Sequence, residues 1–197
     1  MAQEALSGLQ LQQIRFIPAG QPSHREPPRV VAAARLDMVR LACAGNPGFV
    51  VDAREVERAA PSYTLDTLTE LRAEFGPDQA FCLLLGADAF LGLSTWHRWQ
   101  ELFQLAHLVV VYRPGFPQSA WAESMPAALR QEYEARRTAG LSALNNTASG
   151  RIYALPSTAL DITASRIRAA IQCGVSPRYL LPDAVLNYIS THKLYKE

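Results

Sequence analysis

Short apolar runs alternate with helix-periodic segments along most of this chain. Five of the runs have strand length, and several are apolar on both faces, as buried parallel strands are. They cover residues 14–18, 49–52, 80–86, 107–112 and 151–155. Between them, apolar residues recur at helical spacing from Val31 to Ala42 and from Leu65 to Phe75, where Gly76-Pro77 predicts the helix end. The alternation predicts an α/β fold with a doubly wound parallel sheet.

Two regions depart from this alternation. Residues 114–150 hold one helical run, from Met125 to Arg137, and end in small polar residues, so we expect a surface excursion there. After residue 156 the pattern is helical, with predicted helices at 162–171 and 183–190. Because the chain shows no internal repeat or low-complexity tract, the sequence predicts one domain spanning residues 1–197 with a helical C-terminal part.

Composition and charge narrow the class of protein. The 197 residues are 49% hydrophobic and 19% charged, which is typical of a globular domain that can bury a core. The net charge of +1 gives no general electrostatic reason to bind nucleic acid or a membrane surface, and we expect neither partner. An anionic ligand would have to be held by local groups.

The cysteine pattern and the apolar windows favour the reduced cytoplasm. The chain has three widely separated cysteines without C-x-x-C spacing, which argues against a disulfide framework and against a zinc site. The most apolar window, 81–93, is interrupted by Asp88 and is too short to span a bilayer. The N-terminus has no basic segment followed by an apolar one.

Phosphate binding, if present, cannot use the best-known loops. The sequence has neither G-x-G-x-x-G after a strand nor G-x-x-x-x-G-K-[ST]. The residues that follow each predicted strand are the remaining candidates, because ligands of open α/β sheets bind at the carboxyl ends of the strands. His24 and Arg25 follow the first strand in a turn-rich loop, although an isolated pair of this kind more often belongs to a solvated surface loop. Ser62 or Thr64 can cap the next helix and leave main-chain N–H groups facing an anion; capping alone also explains them.

Later positions add an acid, an aromatic cluster and a basic helix start. Asp88 follows the third strand at the start of a helix, where an acid also stabilises the helix dipole. Trp96 and Trp99 are either the core and rim of one helix or include a stacking platform for a flat ring. The segment 162–168 combines hydroxyl groups in a first helical turn with two arginines, a combination that can cradle a polyphosphate.

These pieces occur in one order, and together they resemble the bacterial nicotinate mononucleotide adenylyltransferases of the nucleotidylyltransferase superfamily. The resemblance runs from about residue 5 to the C-terminus. Its motifs are Pro18…His24-Arg25, Pro61-Ser62-Tyr63-Thr64, Gly86-Ala87-Asp88, Thr95-Trp96, Arg113-Pro114-Gly115, Ile162-Thr163-Ala164-Ser165-Arg166-Ile167-Arg168 and Tyr188-Ile189…His192…Leu194-Tyr195. It implies a Rossmann-like fold and transfer of AMP from ATP to nicotinate mononucleotide, the penultimate step to NAD.

The resemblance also implies site residues and partners. His24, Arg25 and Arg168 would be catalytic, the first two at a substrate phosphate. The acceptor nucleotide would contact Tyr63, Thr64, Asp88, Trp96 and His97, with Trp96 stacked on the pyridine ring and main-chain N–H groups beside it on the carboxylate. The ATP site would comprise Asp88, Ile162, Thr163, Ser165 and Arg168. Arg166 occupies a variable position and has no implied role. Mg²⁺ would arrive on the ATP phosphates.

One departure from the family pattern is large. Family members begin with a first strand that runs into G-G-T-F-D-P-x-H-x-G-H, whose glycines and histidines contact the ATP phosphates, and this sequence contains no such segment. In a sheet of order 3-2-1-4-5 that strand is central, so strands 14–18 and 80–86 are each expected to lack a neighbour. We therefore expect the 197 residues alone to be inactive.

Three alternatives follow from these observations. A sister transferase would use phosphopantetheine or the nicotinamide nucleotide, although residues 61–64 and Trp96 favour nicotinate. The chain could instead be a catalytically silent nucleotide-binding remnant. Finally, Met1 could be internal to a longer, ordinary enzyme, which we rank above the remnant because the downstream site residues are intact.

Overall fold

The computed structural model describes residues 1–22, 28–112, 121, 123–158, 160 and 162–196. Within this part of the chain, six strands form two parallel sheets. The strands are β1 (Ile14–Phe16), β2 (Phe49–Val51), β3 (Cys82–Gly86), β4 (His107–Tyr112), β5 (Arg137–Thr138) and β6 (Ile152–Pro156). One sheet has the order β1-β2 and the other the order β3-β4-β6-β5. The predicted α/β class is confirmed.

Helices connect most of these strands, as the periodicity predicts. The α-helices are α1 (Ala2–Gly8), α2 (Ala32–Cys43), α3 (Arg54–Glu57), α4 (Thr64–Phe75), α5 (Ala87–Leu91), α6 (Leu102–Leu105), α7 (Ala127–Arg136), α8 (Ser142–Asn145), α9 (Ala164–Gln172) and α10 (Asp183–Thr191). Two short 3₁₀ helices, Leu93–Thr95 and Trp99–Glu101, lie between α5 and α6. Helix α4 ends where the sequence predicts, because Gly76 adopts a φ of +89° that other residues rarely reach.

The chain divides into two compact units, each built from two stretches of sequence. The first unit comprises Met1–Gln10 and Tyr63–Ala159, and the second comprises Leu11–Ser62 and Leu160–Glu197. Neither unit is continuous in sequence. The prediction of one domain over the whole chain remains a prediction.

The core of the first unit lies around β4. Leu108, Val109 and Val110 are all fully buried, with β3 on one side of β4 and β6 on the other. A strand that is paired on both sides and covered on both faces requires apolar residues at every position, which explains its continuous apolar run.

His107 begins this buried strand and is itself fully buried. Its Nδ1 accepts a hydrogen bond from the Arg151 main-chain N–H at 3.1 Å, so its Nε2 carries the proton and donates to the Thr147 carbonyl at 2.8 Å. Burial lowers the pKa of His107, with a smaller contribution from the positive charges of Arg72 and Arg151. The ring is therefore a neutral link between β4 and the segment before β6.

The segment 121–150 is less peripheral than the sequence suggests. Trp121 and Leu129 are fully buried, and Leu144 is almost so. In addition, β5 extends the sheet by pairing Arg137 with Ile152. This part of the expected surface excursion therefore contributes to the core of the first unit, because its few large apolar residues are the ones that face inward.

The second unit packs three helices around a small apolar cluster. Ile171 of α9 and Val185 and Ile189 of α10 are buried together, and Met38 and Leu41 of α2 pack against them. The Tyr188 hydroxyl donates a hydrogen bond to the Asp37 carboxylate at 3.1 Å, which joins α10 to α2. The predicted C-terminal helices are confirmed at 164–172 and 183–191.

Each sheet has two edge strands among the described residues: β1 and β2 in one sheet, β3 and β5 in the other. The two strands for which a lost neighbour is expected, β1 and β3, are edge strands, but so are β2 and β5, and the expectation therefore stays a prediction.

Candidate active site

The first unit carries the residues predicted to hold the acceptor. Asp88 lies in the first turn of α5, directly after β3, and is exposed. The strand-to-helix transition therefore presents a carboxylate at the carboxyl end of the sheet, where ligands of parallel α/β folds bind.

Trp96 and Trp99 do not share a helix. Trp96 follows the first 3₁₀ helix with extended backbone, whereas Trp99 begins the second and packs edge-on against Phe103 at 6.1 Å between ring centroids. The reading of the two tryptophans as core and rim of one helix is therefore wrong. Trp96 is half-buried and has no aromatic ring contact among the described residues, so its predicted stacking on a pyridine ring stays open as a hypothesis.

Tyr63 and His97, both predicted from sequence, lie against each other. Their ring centroids are 4.6 Å apart with an interplanar angle of 39°. Tyr63 is the N-cap residue of α4, and the half-buried Thr64 is the first residue of the helix. The structure thus brings one face of the 95–97 segment to the start of α4.

The start of α4 has no side-chain hydrogen bond at its N-cap. The hypothesis that Ser62 or Thr64 caps the helix is wrong, because the Ser62 hydroxyl is engaged elsewhere: it accepts the Gly20 main-chain N–H at 3.1 Å. First-turn N–H groups of a helix lack intrahelical acceptors and carry its positive dipole end, so the start of α4 is suited to an anionic group.

Neighbouring charges are already paired. Arg98, in left-handed conformation with φ of +50°, contacts Glu101 at 2.6 Å. Hydrogen bonds from Arg98 lower the pKa of Glu101, so this acid stays ionised and balances the arginine. Arg98 and Glu101 thus balance each other's charge beside the predicted acceptor residues.

The second unit carries the predicted ATP-phosphate residues at the start of α9. Thr163 is the N-cap, and its Oγ1 accepts the Arg166 main-chain N–H at 3.2 Å. That hydroxyl is therefore used for capping. Ser165 and Arg168 are exposed in the first turns, and Ile162 precedes the cap with about a third of its surface exposed. A capped helix start with an exposed hydroxyl and an exposed guanidinium can bind phosphate oxygens.

His24 and Arg25, the other predicted catalytic pair, lie outside the described residues. The segment that precedes them, residues 20–22, is fixed by main-chain contacts. The Ser62 main-chain N–H donates to the Gln21 carbonyl at 2.9 Å, and Pro22 pairs with Ser62 as a parallel β-bridge. A Cβ at Gly20 would overlap the main-chain oxygen of Glu55, so only glycine fits there.

Two charged residues of the second unit, Asp52 and Arg35, form contacts that the sequence did not predict. Asp52 follows β2 and is paired with Arg15 at 3.0 Å and Arg54 at 2.8 Å. Although burial raises the pKa of Asp52, hydrogen bonds from the two arginines outweigh it and hold the pKa below its ordinary value. Arg35 of α2 donates to the Gly20 carbonyl at 3.0 Å and to the Val30 carbonyl at 3.3 Å. A polar residue directly after a strand could have indicated Asp52, whereas nothing in the pattern singles out Arg35.

A cavity of about 600 Å³ also lies in the second unit. It is lined by Phe16, Pro18, Arg35, Met38, Val39, Ala42, Cys43, Phe49, Pro182 and Val185. All the lining residues except Arg35 are apolar, and the Arg35 guanidinium donates to the Gly20 and Val30 carbonyls. The cavity therefore suits a phosphate group poorly. The start of α9 is the better candidate for the nucleotide.

The described residues include neither a candidate metal cluster nor a membrane-spanning helix. No group of three His, Cys, Asp or Glu side chains in this part of the chain could hold a metal ion. No helix there has the length and apolar character required to cross a bilayer.

Comparison with known proteins places this geometry in a class. The cytidylyltransferase-like family matches residues 1–194. Among solved structures, nicotinic acid mononucleotide adenylyltransferase from Plasmodium falciparum, complexed with NaAD, aligns with a TM-score of 0.64 at 14% identity. The alignment covers 94% of this chain and 83% of the other, and this likeness supports the Rossmann-like fold.

Sequence relatives are more specific. A probable nicotinate-nucleotide adenylyltransferase from Dechloromonas aromatica is 50% identical over 196 residues, covering 100% of this chain and 89% of the relative. A second, from Acidithiobacillus ferrooxidans, is 46% identical and covers 98% of this chain and 87% of the relative. The chain therefore belongs to the cytidylyltransferase-like family and, within it, to the nicotinate-nucleotide adenylyltransferases.

Proposed function

We propose that this protein transfers AMP from ATP to the phosphate of nicotinate mononucleotide, giving nicotinate adenine dinucleotide and pyrophosphate. The observation that carries the proposal is the 50% identity, over the whole chain, to a probable nicotinate-nucleotide adenylyltransferase. The silent remnant and the sister acceptors are not favoured, because several relatives above 40% identity carry that same name.

The chemistry needs no nucleophile from the protein. A phosphate oxygen of the acceptor forms a bond to the α-phosphorus of ATP, and the bond from that phosphorus to the bridging oxygen of pyrophosphate breaks. Pyrophosphate leaves with the electron pair. The protein aligns the two nucleotides and neutralises charge, and each task lowers the barrier without a covalent intermediate.

The described residues supply groups for both tasks. The half-buried ring of Trp96 and the start of α4, with Tyr63 and Thr64, suit a flat ring bearing a carboxylate. The main-chain N–H of His97 directly follows Trp96 in sequence and would serve the carboxylate of that ring. Asp88 is available to the ribose or base near the junction of the two substrates.

On the ATP side, Ser165 and Arg168 would contact the phosphates, with Ile162 and Thr163 shaping the helix start. His24 and Arg25 would approach a substrate phosphate. Mg²⁺ fits this scheme as a cation that enters on the ATP phosphates, whose charge it balances. Three free thiols agree with a reaction that takes place in the reducing cytoplasm.

The test is a product assay. The protein, including any residues encoded in frame upstream of Met1, is incubated with MgATP and, in parallel, with nicotinate mononucleotide, nicotinamide mononucleotide or phosphopantetheine. We expect pyrophosphate and a dinucleotide, with the highest kcat/KM for nicotinate mononucleotide. A preference for another acceptor would reassign the substrate, and no product with any acceptor would favour the silent remnant.

A further inference from the structure

Arg98, in the first unit, adopts a backbone conformation that arginine rarely takes. Its φ is +50° and its ψ is +41°, in the left-handed region, where the Cβ atom crowds the backbone and glycine is favoured. The residue lies between Trp96, whose backbone is extended, and the 3₁₀ helix that begins at Trp99. The chain therefore turns at Arg98, and the direction in which the main chain of residues 96–97 faces depends on that turn.

An ion pair with Glu101, in the same unit, closes this turn. Arg98 Nε donates to Glu101 Oε1 at 2.7 Å and Arg98 Nη2 donates to Glu101 Oε2 at 2.6 Å, a bidentate arrangement that fixes the orientation of both planar groups. The main-chain N–H of Glu101 also donates to the Arg98 carbonyl at 3.0 Å. Hydrogen bonds to Glu101 raise the pKa of Arg98, and the charge of Asp66, in the first turn of α4, adds to this effect. The left-handed conformation is thus held by side-chain and main-chain bonds together.

His97, the residue before the turn, has a main-chain N–H without an acceptor in the described part of the chain. The His97 ring packs against Tyr63, with 4.6 Å between the ring centroids, which fixes the side chain at the start of α4. The backbone of His97 is constrained from its other side by the turn at Arg98. Its N–H, which would serve the carboxylate of the acceptor ring, lies between these two restraints.

We propose that Arg98 is a positioning residue that sets the preference for a nicotinate over a nicotinamide acceptor, through the left-handed turn that orients the His97 N–H. This inference rests on the proposed function. A carboxylate accepts a hydrogen bond more strongly than an uncharged amide does, so the acid gains more from a well-oriented donor. The Arg98 guanidinium does not bind the carboxylate itself, because Glu101 occupies it.

Three substitutions of Arg98 separate the effect of the backbone from that of the charge. Arg98→Val removes the guanidinium and disfavours a positive φ, whereas Arg98→Gly removes the guanidinium and permits that φ. Arg98→Lys keeps the charge but cannot form the bidentate pair. For each variant of the protein used in the product assay, kcat/KM is measured with nicotinate mononucleotide and with nicotinamide mononucleotide, together with the KM for ATP and the Tm.

The acid-to-amide ratio of kcat/KM is expected to follow the turn and not the charge. Arg98→Val should lower this ratio by about tenfold, since a hydrogen bond to a charged group changes a binding constant by about that factor. Arg98→Gly should recover most of the loss, and Arg98→Lys should lie between the two. The KM for ATP should stay within about twofold in all three variants, because the turn acts on the acceptor alone.

Arg137→Val is the matched control. Arg137 is also an exposed arginine of the first unit, and it pairs with a glutamate three residues away, Glu134, at 2.9 Å. Its φ is −59°, however, which valine adopts without strain, so this variant should leave the acid-to-amide ratio unchanged.

Glu101→Gln tests the ion pair without altering Arg98. It removes the charge that holds the guanidinium, so it should lower the acid-to-amide ratio in the same direction as Arg98→Val, by a smaller factor. If Arg98→Val fails to fold, Glu101→Gln and the comparison of Arg98→Gly with Arg98→Lys still decide the question.

Three results would overturn the proposal. Loss of selectivity in Arg98→Gly with retention in Arg98→Lys would mean that the charge acts on the carboxylate directly. An unchanged ratio in a folded Arg98→Val would remove the turn from acceptor recognition. Equal losses with both acceptors and ATP, with a lowered Tm, would mean that Arg98 only stabilises its unit. Failure of the proposed function is distinguishable from all three, since the unmodified protein would then make no dinucleotide from nicotinate mononucleotide and the positioning role would fall with it.

Discussion

The three tryptophans of this chain occupy three different environments. Trp121 is fully buried, and its indole Nε1 has no hydrogen-bond partner among the described residues. Trp99 packs against Phe103. Trp96 is half-buried and immediately precedes His97, whose ring packs against Tyr63. Trp96 itself has no aromatic neighbour among the described residues. Core burial explains Trp121, and packing against Phe103 explains the half-buried Trp99, whereas Trp96 keeps a ring with no aromatic partner among the described residues.

Trp96→Ala is therefore expected to raise the KM for nicotinate mononucleotide by about two- to tenfold, because aromatic stacking is worth about 0.5–1.5 kcal/mol beyond burial. The KM for ATP should change much less. Steady-state kinetics with each substrate varied in turn measures both values, and Trp99→Ala serves as the control that should lower the Tm without this selectivity. Equal effects of Trp96→Ala on both substrates, with a lowered Tm, would support a core role instead.

His107 makes the stability of the protein sensitive to mild acid. Its folded-state pKa lies below the unfolded value of about 6.5, so below that pH the unfolded chain binds a proton that the folded chain excludes. Stability is therefore complete above about pH 6.5 and declines as the pH falls towards the folded-state pKa. We expect the Tm to drop between pH 7 and pH 5, and to drop less in His107→Gln. A parallel decline in the two proteins would assign the effect to other groups.

Residue positions were predictable from sequence where the local pattern fixes them. Asp88 is found after its strand as expected, since a strand end and a helix start together determine that position. The role of Ser62 was not predictable, because a serine hydroxyl can accept a hydrogen bond from any nearby N–H. In the folded chain that donor is the main-chain N–H of Gly20 and not an N–H at the start of α4. Arg35 was missed for the same reason: its acceptors are main-chain carbonyls, which leave no trace in the side-chain pattern.

At the scale of elements, the strands and long helices follow from periodicity and the short elements do not. The continuous apolar run of β4 predicts a doubly paired strand, and α4 ends at Gly76 as predicted. Residues 93–101 form two 3₁₀ helices separated by a left-handed Arg98. Such short turns carry no repeating pattern, which is why one shared helix stayed an alternative for the tryptophan pair at the sequence level.

The start of α9 gives a prediction for the ATP side. Because Thr163 already caps this helix, Arg168 adds its exposed charge to a helix end that is positive, where pyrophosphate would develop negative charge as it leaves. Arg168→Ala is expected to lower kcat, or kcat/KM for ATP, by about tenfold or more while the KM for nicotinate mononucleotide stays nearly unchanged. Arg166→Ala, on the same turn, is the control. Unmodified turnover in Arg168→Ala would remove this residue from the site.

At the scale of the whole molecule, the chain divides into two compact units, each built from two stretches of sequence. Periodicity and composition identify strands and helices without identifying their neighbours, so neither this division nor the pairing of the strands into two sheets was predictable from them.

The discontinuous build of the second unit has a consequence for synthesis on the ribosome. Met38 and Leu41 of α2 are translated well before their partners Ile171, Val185 and Ile189. Until those partners are made, the nascent chain carries an apolar helix face without its native cover, and such surfaces attract chaperones or other nascent chains. Codon changes that slow the ribosome would lengthen this exposure when placed between the two halves of the unit, within residues 63–159, and would not do so after its last helix.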